Sequence, residues 1–225
     1  MKYLLVIVLF MIGIAAWGQE DEKPDTLDLE PVDTSYSHPI GFCTGGGIMQ
    51  SLIRPSDNPS GDISKLKGAL TNFFAVGILF HKEIKKPFAL ESGIRFNISR
   101  ISVSYEQNNT AFVDLVNYST MSVPFDFIYK PGKRPSGMFL AAGLSLDIDI
   151  SKKSDKNNRL FPLKPLTFSL GAALGYRLKT YASIPEFRLF VNYLPLNILN
   201  DNNTVYTEAL QSIKHWRLGI LLSIR

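Results

Sequence analysis

Few residues in this chain have the types and spacing to do chemistry. Nine charged side chains stand on the small, polar face of alternating segments: Glu91, Arg95, Asp126, Asp147, Asp149, Arg177, Glu186, Arg188 and Arg217. An unpaired buried charge is costly, so mixed-sign groups confined in a narrow interior should pair through hydrogen-bonded salt bridges. Arg177 and Glu186 flank one tight turn, which makes them cross-strand neighbours. The expected chemistry is a structural charge plug. Glu91, Asp126, Arg177, Glu186 and Arg188 fall toward one end of it, and Asp147, Asp149 and Arg217 toward the other.

A second constellation is catalytic in type. His215 faces inward near the opposite rim, with Ser212 and Glu208 close in sequence. A histidine, a hydroxyl and a carboxylate could serve an acyl hydrolase acting on lipid or lipopolysaccharide. Nothing in the spacing fixes their mutual geometry, so a capping or rim histidine is the favoured expectation and catalytic residues are assigned to none. His38 and His81 belong to the other end, which leaves no histidine cluster for a metal. Asp147-Ile148-Asp149 lacks the loop spacing and glycine of a calcium loop. Gly45-Gly46-Gly47 has no following Lys-Ser/Thr, so it is not a phosphate loop. Cys43 shares the inward parity of Gly41 and Gly45 and reads as small filler. Neither cofactor nor metal is expected.

The elements that must hold these residues follow a period of two. Leu166, Phe168, Leu170, Ala172, Leu174, Tyr176 and Leu178 take one face of a segment whose other face is Thr167, Ser169, Gly171, Ala173, Gly175, Arg177 and Lys179. Side chains alternate across a strand, so one face is apolar and the other small or polar. The pattern recurs from Met138 to Ile150, from Phe88 to Ser99 and from His215 to Arg225, and more weakly over 40–53, 70–81, 118–130 and 184–195. That makes eight strands. Ile101, Val103 and Tyr105 sit on the opposite count from Ile98, which reads as a β-bulge after Ser99. Long connections at 54–67, 106–117, 151–164 and 196–211 alternate with short ones at 82–87, 131–136 and 180–183.

The second face is too small and too sparsely charged for a solvated surface, but it suits the narrow interior of an eight-stranded barrel. The apolar face then belongs in lipid, and segments of 11 to 14 residues exceed the roughly 9 to 11 needed to cross the hydrocarbon. Tyr105, Tyr118, Tyr193 and Trp216 at one end, and Phe42, Phe80, Phe88, Tyr129, Tyr176 and Phe187 at the other, are expected to form two aromatic girdles. The fold class is therefore all-β: an eight-stranded antiparallel transmembrane up-and-down β-barrel over 39–225.

Ahead of the barrel, Lys2 precedes an apolar run from Tyr3 to Trp17, and Ala16 and Gly18 offer small residues before Gln19. Residues 1–18 read as a secretory signal peptide, too short for a permanent span. Residues 19–38 carry seven acids, Pro24 and Pro31, and almost no apolar periodicity, and read as a disordered acidic tail. Of the 24 Lys+Arg only Lys2 and Lys23 precede Pro39, and of the 20 Asp+Glu seven do, so the barrel itself is basic by about nine charges. With 45% hydrophobic residues the chain can bury a core, and its one cysteine excludes a disulfide framework.

With the strands placed, the chain resembles the PorT-like outer-membrane β-barrel family of the Bacteroidetes. The residues that carry the resemblance are Pro39-Ile40-Gly41-Phe42 with Gly45-Gly46-Gly47, Val123-Pro124-Phe125 leading to Tyr129-Lys130, Leu140-Ala141-Ala142-Gly143-Leu144, and Phe187-Arg188-Leu189 through Tyr193 to Asn197-Ile198-Leu199. Val123 stands where many members carry a glutamate. The resemblance implies the outer membrane and, through the family's named member, an accessory part in type IX protein secretion. The expected protein is a monomeric, non-enzymatic interaction or assembly component. Its partners would be outer-membrane lipid and envelope or secretion-machinery proteins, with no nucleic acid. Its tail and C-terminus would be periplasmic and its long loops extracellular.

Overall fold

The computed structural model describes residues 39–57, 63–108, 110–131, 136–152, 162–178, 180, 183–200 and 209–225. The expected signal peptide, the acidic tail and Glu208 lie outside the described residues.

Eight strands form the molecule: β1 (Ile40–Pro55), β2 (Ile63–Lys85), β3 (Phe88–Gln107), β4 (Thr110–Tyr129), β5 (Gly137–Asp149), β6 (Leu166–Arg177), β7 (Pro185–Leu194) and β8 (Leu210–Ile224). Each pairs antiparallel with its sequence neighbours, and β8 returns to β1, so the sheet closes into a barrel. Closure matters because an open edge in hydrocarbon would leave backbone groups unsatisfied at several kcal/mol each. Short connections join β2–β3, β4–β5 and β6–β7 at one end, here called the turn end. The other connections lie at the loop end.

The polarity of the barrel is inside out. Leu144 and Leu170, at the middle of β5 and β6, are 50% and 48% exposed on the outer wall, while Asp147 and Arg177 are 1% and 6% exposed in the lumen. The register explains how a narrow barrel closes around such a lumen. Gly47 faces Gly219 across β1 and β8, and Gly143 faces Gly171 across β5 and β6, and the room they leave is taken by side chains from other strands: Phe73 and Phe190 over Gly219, Asp126 over Gly143 and Asn192 over Gly171. Phe42, Phe80, Phe88, Tyr129, Tyr176 and Phe187 stand exposed around the turn end, as a girdle should.

Three expectations fail at the loop end, for one reason. Residues 106–117 are not a loop: β3 and β4 remain paired from Ile101↔Val116 to Gln107↔Thr110, around a turn at Asn108 whose φ of 51° an asparagine tolerates. The bulge is not in β3 either. β3 pairs with β4 without interruption from Arg95 to Gln107, and Ile101, Val103 and Tyr105 keep the inward parity of Glu91 and Asn97. The extra residue lies in β2, where Ala69↔Ser102 is followed by Phe73↔Ser99. Finally, Tyr105 and Tyr118 point inward and are buried, so of the expected upper girdle Tyr193 and Trp216 alone stay on the outer wall, as a cross-strand pair.

The common cause is a change of surroundings along continuous strands. On β3 the outward row is apolar and the inward row small or polar below Ser99, and above it the apolar row crosses to the inside without any backbone shift, whereas on β4 Leu115 and Val113 keep the outward row apolar. A barrel that leaves the hydrocarbon must bury its apolar face again, as a water-soluble sheet does. The resulting collar has a core of Ile63, Leu66, Ile101, Val103 and Val116, joined by Leu163, Ile198 and Leu199 from the loops. A bridge between Leu163 and Leu199, with Lys164 N donating to Ile198 O at 2.7 Å, draws those two loops together.

Candidate functional site

Alternation puts Glu186 and Arg188 on the inner face of β7, with Arg177 opposite Glu186 on β6. Arg188 reaches across the lumen to Glu91 on β3, four strands away. Its Nη1 donates to Glu91 Oε1 at 2.5 Å and its Nη2 to Oε2 at 2.6 Å, a bidentate fork. The same Nη2 donates to Glu186 Oε2 at 2.7 Å. Glu186 Oε1 also accepts from Arg177 Nε and Arg225 Nη2, so one carboxylate holds three guanidiniums. Beneath them lies the Phe139 ring, 5.1 Å from Arg188 Cζ and 5.7 Å from Arg177 Cζ. Gly175 leaves the space this ring needs, since a Cβ there would strike it.

His81 sits beside the network, its Nδ1 3.7 Å from Glu91 Oε2. On the turn-end side Lys130 Nζ donates to Glu83 Oε1 at 2.9 Å and lies 3.5 Å from His81 Nε2. Burial, reinforced by the nearby Arg177 charge, pushes the Lys130 ammonium below its ordinary value.

Toward the loop end a second polar tier surrounds Asp147. Its carboxylate accepts from Ser122 Oγ, from Ser145 Oγ at 3.3 Å and from Ser169 Oγ at 3.1 Å. Asn97 Nδ2 extends the tier by donating to Ser122 Oγ at 2.6 Å and Thr120 Oγ1 at 3.2 Å. Asp149 accepts from the Ser151 backbone N–H at 3.0 Å.

A charged lumen inside a closed, lipid-facing ring is the architecture of a bacterial surface barrel, and the sequence profile agrees. Residues 34–197 match the family described as outer membrane protein beta-barrel domain. The chain belongs to this family. Among solved structures it is similar to the outer membrane protein OprG from Pseudomonas aeruginosa, at 14% identity over 81% of this chain and 95% of that one, with a TM-score of 0.44. No curated protein matches it in sequence.

The outer-membrane barrel thus has two lumen tiers, and they differ from the expected arrangement. Glu91, Arg177, Glu186 and Arg188 are brought together. Arg95 and Asp126 face inward but form no ion pair among the described residues; they line a cavity with Arg188, Ser145 and Asn192 that has room for about one or two waters. Among the described residues, Asp147, Asp149 and Arg217, expected as a mixed-sign cluster, form no ion pair with one another. Ser145 on β5 and serines on the two strands flanking it supply the hydrogen bonds to Asp147, whereas Arg217 Nε and Nη2 have no hydrogen-bond partner among the described residues.

His215 is not at an open rim. It is 0% exposed beneath the collar, edge-on to the Tyr118 ring, with neither ring nitrogen hydrogen-bonded. Ser212 pairs with Arg54 on the outward parity of β8, away from His215. The expected pairing of His215 with Ser212 is therefore not assembled; the serine opposite His215 is Ser51 on the inner face of β1, and its Oγ makes no hydrogen bond among the described residues. His81, Arg225 and Ser223 are lumen residues that motif reading passed over. The available signal was parity alone: His81 continues the inward count of Ala75, Gly77 and Leu79, and Arg225 that of Leu221 and Ser223.

Proposed function

We propose that this outer-membrane barrel is a plugged, non-conducting and non-enzymatic monomer that works as an interaction or assembly component of the envelope. The observation that carries the reading is the strut from Glu91 on β3 to Arg188 on β7, which crosses the lumen and is locked to Glu186, Arg177 and Arg225. With the apolar collar above it, the strut closes the axis to solutes in this reading as far as the described residues go, and the surfaces left for function are the two rims. In this reading the turn end and both termini face the periplasm, and the collar and loops face outward. Outer-membrane lipid and envelope proteins are its partners. An accessory role in protein secretion by the type IX route, implied by the PorT-like layout, is its most specific form.

Planar-bilayer recording tests the plug. The wild-type barrel should give no stable current steps, and Arg188→Gly combined with Glu91→Gly should admit small ions. Steps from the wild type would refute the plug. Deleting the gene and surveying secreted and surface proteins tests the secretion role, which unchanged export would remove.

A further inference from the structure

The outer wall carries an ordered set of charges separate from the lumen. Moving up each outward-facing apolar row toward the loop end, the first charged side chain is Arg54 above Leu52 on β1, Arg100 above Ile98 on β3 and Lys214 above Trp216 on β8. Past the end of β5 it is Lys152 above Ile150, and ahead of β6 it is Lys164 above Leu166. On β2 it is Lys67, beyond the bulge and opposite Ser104. β4 and β7 have no charged outward residue. Four strands and the residues flanking two more therefore present a cation as the first charge on the outward row, and none presents an acid there. None of the six shares an ion pair among the described residues, in contrast to Lys65, which is held by Glu106 at 2.9 Å, and Lys130, which is held by Glu83.

Like charges arranged around a wall with no counter-charge among the described residues repel one another, and a partner of opposite sign relieves that repulsion. The height of the ring says which partner. Five of the six stand one outward step above a side chain of the lipid-facing row, which on β8 is Trp216 of the Tyr193–Trp216 pair that marks an interface, and Lys67 stands higher, opposite Ser104. Negatively charged headgroups occupy that layer of a membrane. An amphiphile carrying a phosphate would lay its chains along Leu52, Ile98 or Ile150 and meet Arg54, Arg100 or Lys152 with its headgroup. Arginine suits this task because its planar fork matches phosphate oxygens. A free phosphate would gain the charge contact alone, without the apolar row beneath it.

We propose that this ring is a docking surface for the phosphate groups of lipids in the surrounding leaflet, which anchor the barrel at a fixed depth.

The test uses the full-chain barrel in detergent, with lipid A as probe and lipid A stripped of its phosphates as control, read by native mass spectrometry. Each cation should contribute roughly fivefold to retention, so Arg54→Gln, Arg100→Gln and Lys214→Gln together should weaken lipid A binding roughly 100-fold. The pair Lys82→Gln and Lys86→Gln, at the turn end, should change it little. Folding is checked by the heat-dependent gel mobility of the closed barrel. If the triple variant does not fold, the single variants carry the test at roughly fivefold each. Equal binding of the stripped lipid, displacement by inorganic phosphate at equal concentration, or variants indistinguishable from wild type would each overturn the proposal. The choice of lipid A rests on the loop end facing outward. Binding of phosphatidylglycerol in its place, lost through the same substitutions, would support the ring and refute that orientation.

Discussion

Arg188→Met is the most informative single change, because Arg188 holds both carboxylates of the turn-end tier. It removes two hydrogen bonds to Glu91 and one to Glu186, all from a side chain 3% exposed. The two glutamates are not affected equally. Glu186 keeps Arg177 and Arg225, but Glu91 is left with His81, 3.7 Å away, as its nearest ionisable neighbour. Breaking one side of a buried ion pair costs about 3–5 kcal/mol, mostly for the stranded charge, whereas removing both charges is often close to neutral. Arg188→Met should therefore lose about 3–5 kcal/mol, and Arg188→Met with Glu91→Gln should recover about 2 kcal/mol or more of it. Reversible urea unfolding from lipid vesicles, followed by Trp216 fluorescence, measures both. A single variant that loses under about 1 kcal/mol, or a double variant no more stable than the single, would refute the claim that the strut is held by charge pairing.

Other perturbations probe the remaining layers. Asp147→Asn keeps one acceptor oxygen but turns the other into an N–H₂ group facing either Ser169 or Ser122 and Ser145, and should cost about 1–3 kcal/mol in the same unfolding assay. Leu144→Arg puts a charge on the lipid face near mid-strand and should cost about 2–4 kcal/mol in vesicles. Ile101→Ala leaves a void in the collar core and should cost about 2–5 kcal/mol, while an alanine at the outward-facing Ile98 should cost less. Gly175→Ala pushes the Phe139 ring toward Arg177 and Arg188 and should cost about 1–3 kcal/mol; no measurable change would show that the ring is free to move.

Most of the barrel wall was legible because a strand in lipid writes its environment into every second residue. From Met138 to Ile150 and from Leu166 to Leu178 the outward row is almost wholly apolar, and the structure follows that parity. Legibility failed where the environment changed within a strand. The inward move of the apolar row at Ile101 mimics a bulge in the sequence, and the mixed pattern of residues 106–117 mimics a loop, although both are ordinary paired strand. Parity also placed all nine charged residues in the lumen, but not their partners. Arg188 meets Glu91 because the lumen is narrow enough for one guanidinium to cross it, a distance set by closure of all eight strands. Asp147 takes serines in preference to Arg217 because Ser122 and Ser169 stand on the neighbouring strands. Neither choice is written in spacing along the chain.

The crossover at Ser99 and Ile101 lies inside a ladder that β3 and β4 keep unbroken, the irregularity at that level being confined to β2, so the upper and lower halves of this hairpin cannot slide separately. Vertical position is thereby built into covalent structure. Sinking by two residues would drag Arg100 among acyl tails, and rising by two would lift Ile98 into water, so either displacement is opposed from both directions. A molecule gauged in this way presents its rims at constant altitude whatever binds them, which suits a fixed landmark on the cell surface better than a moving part.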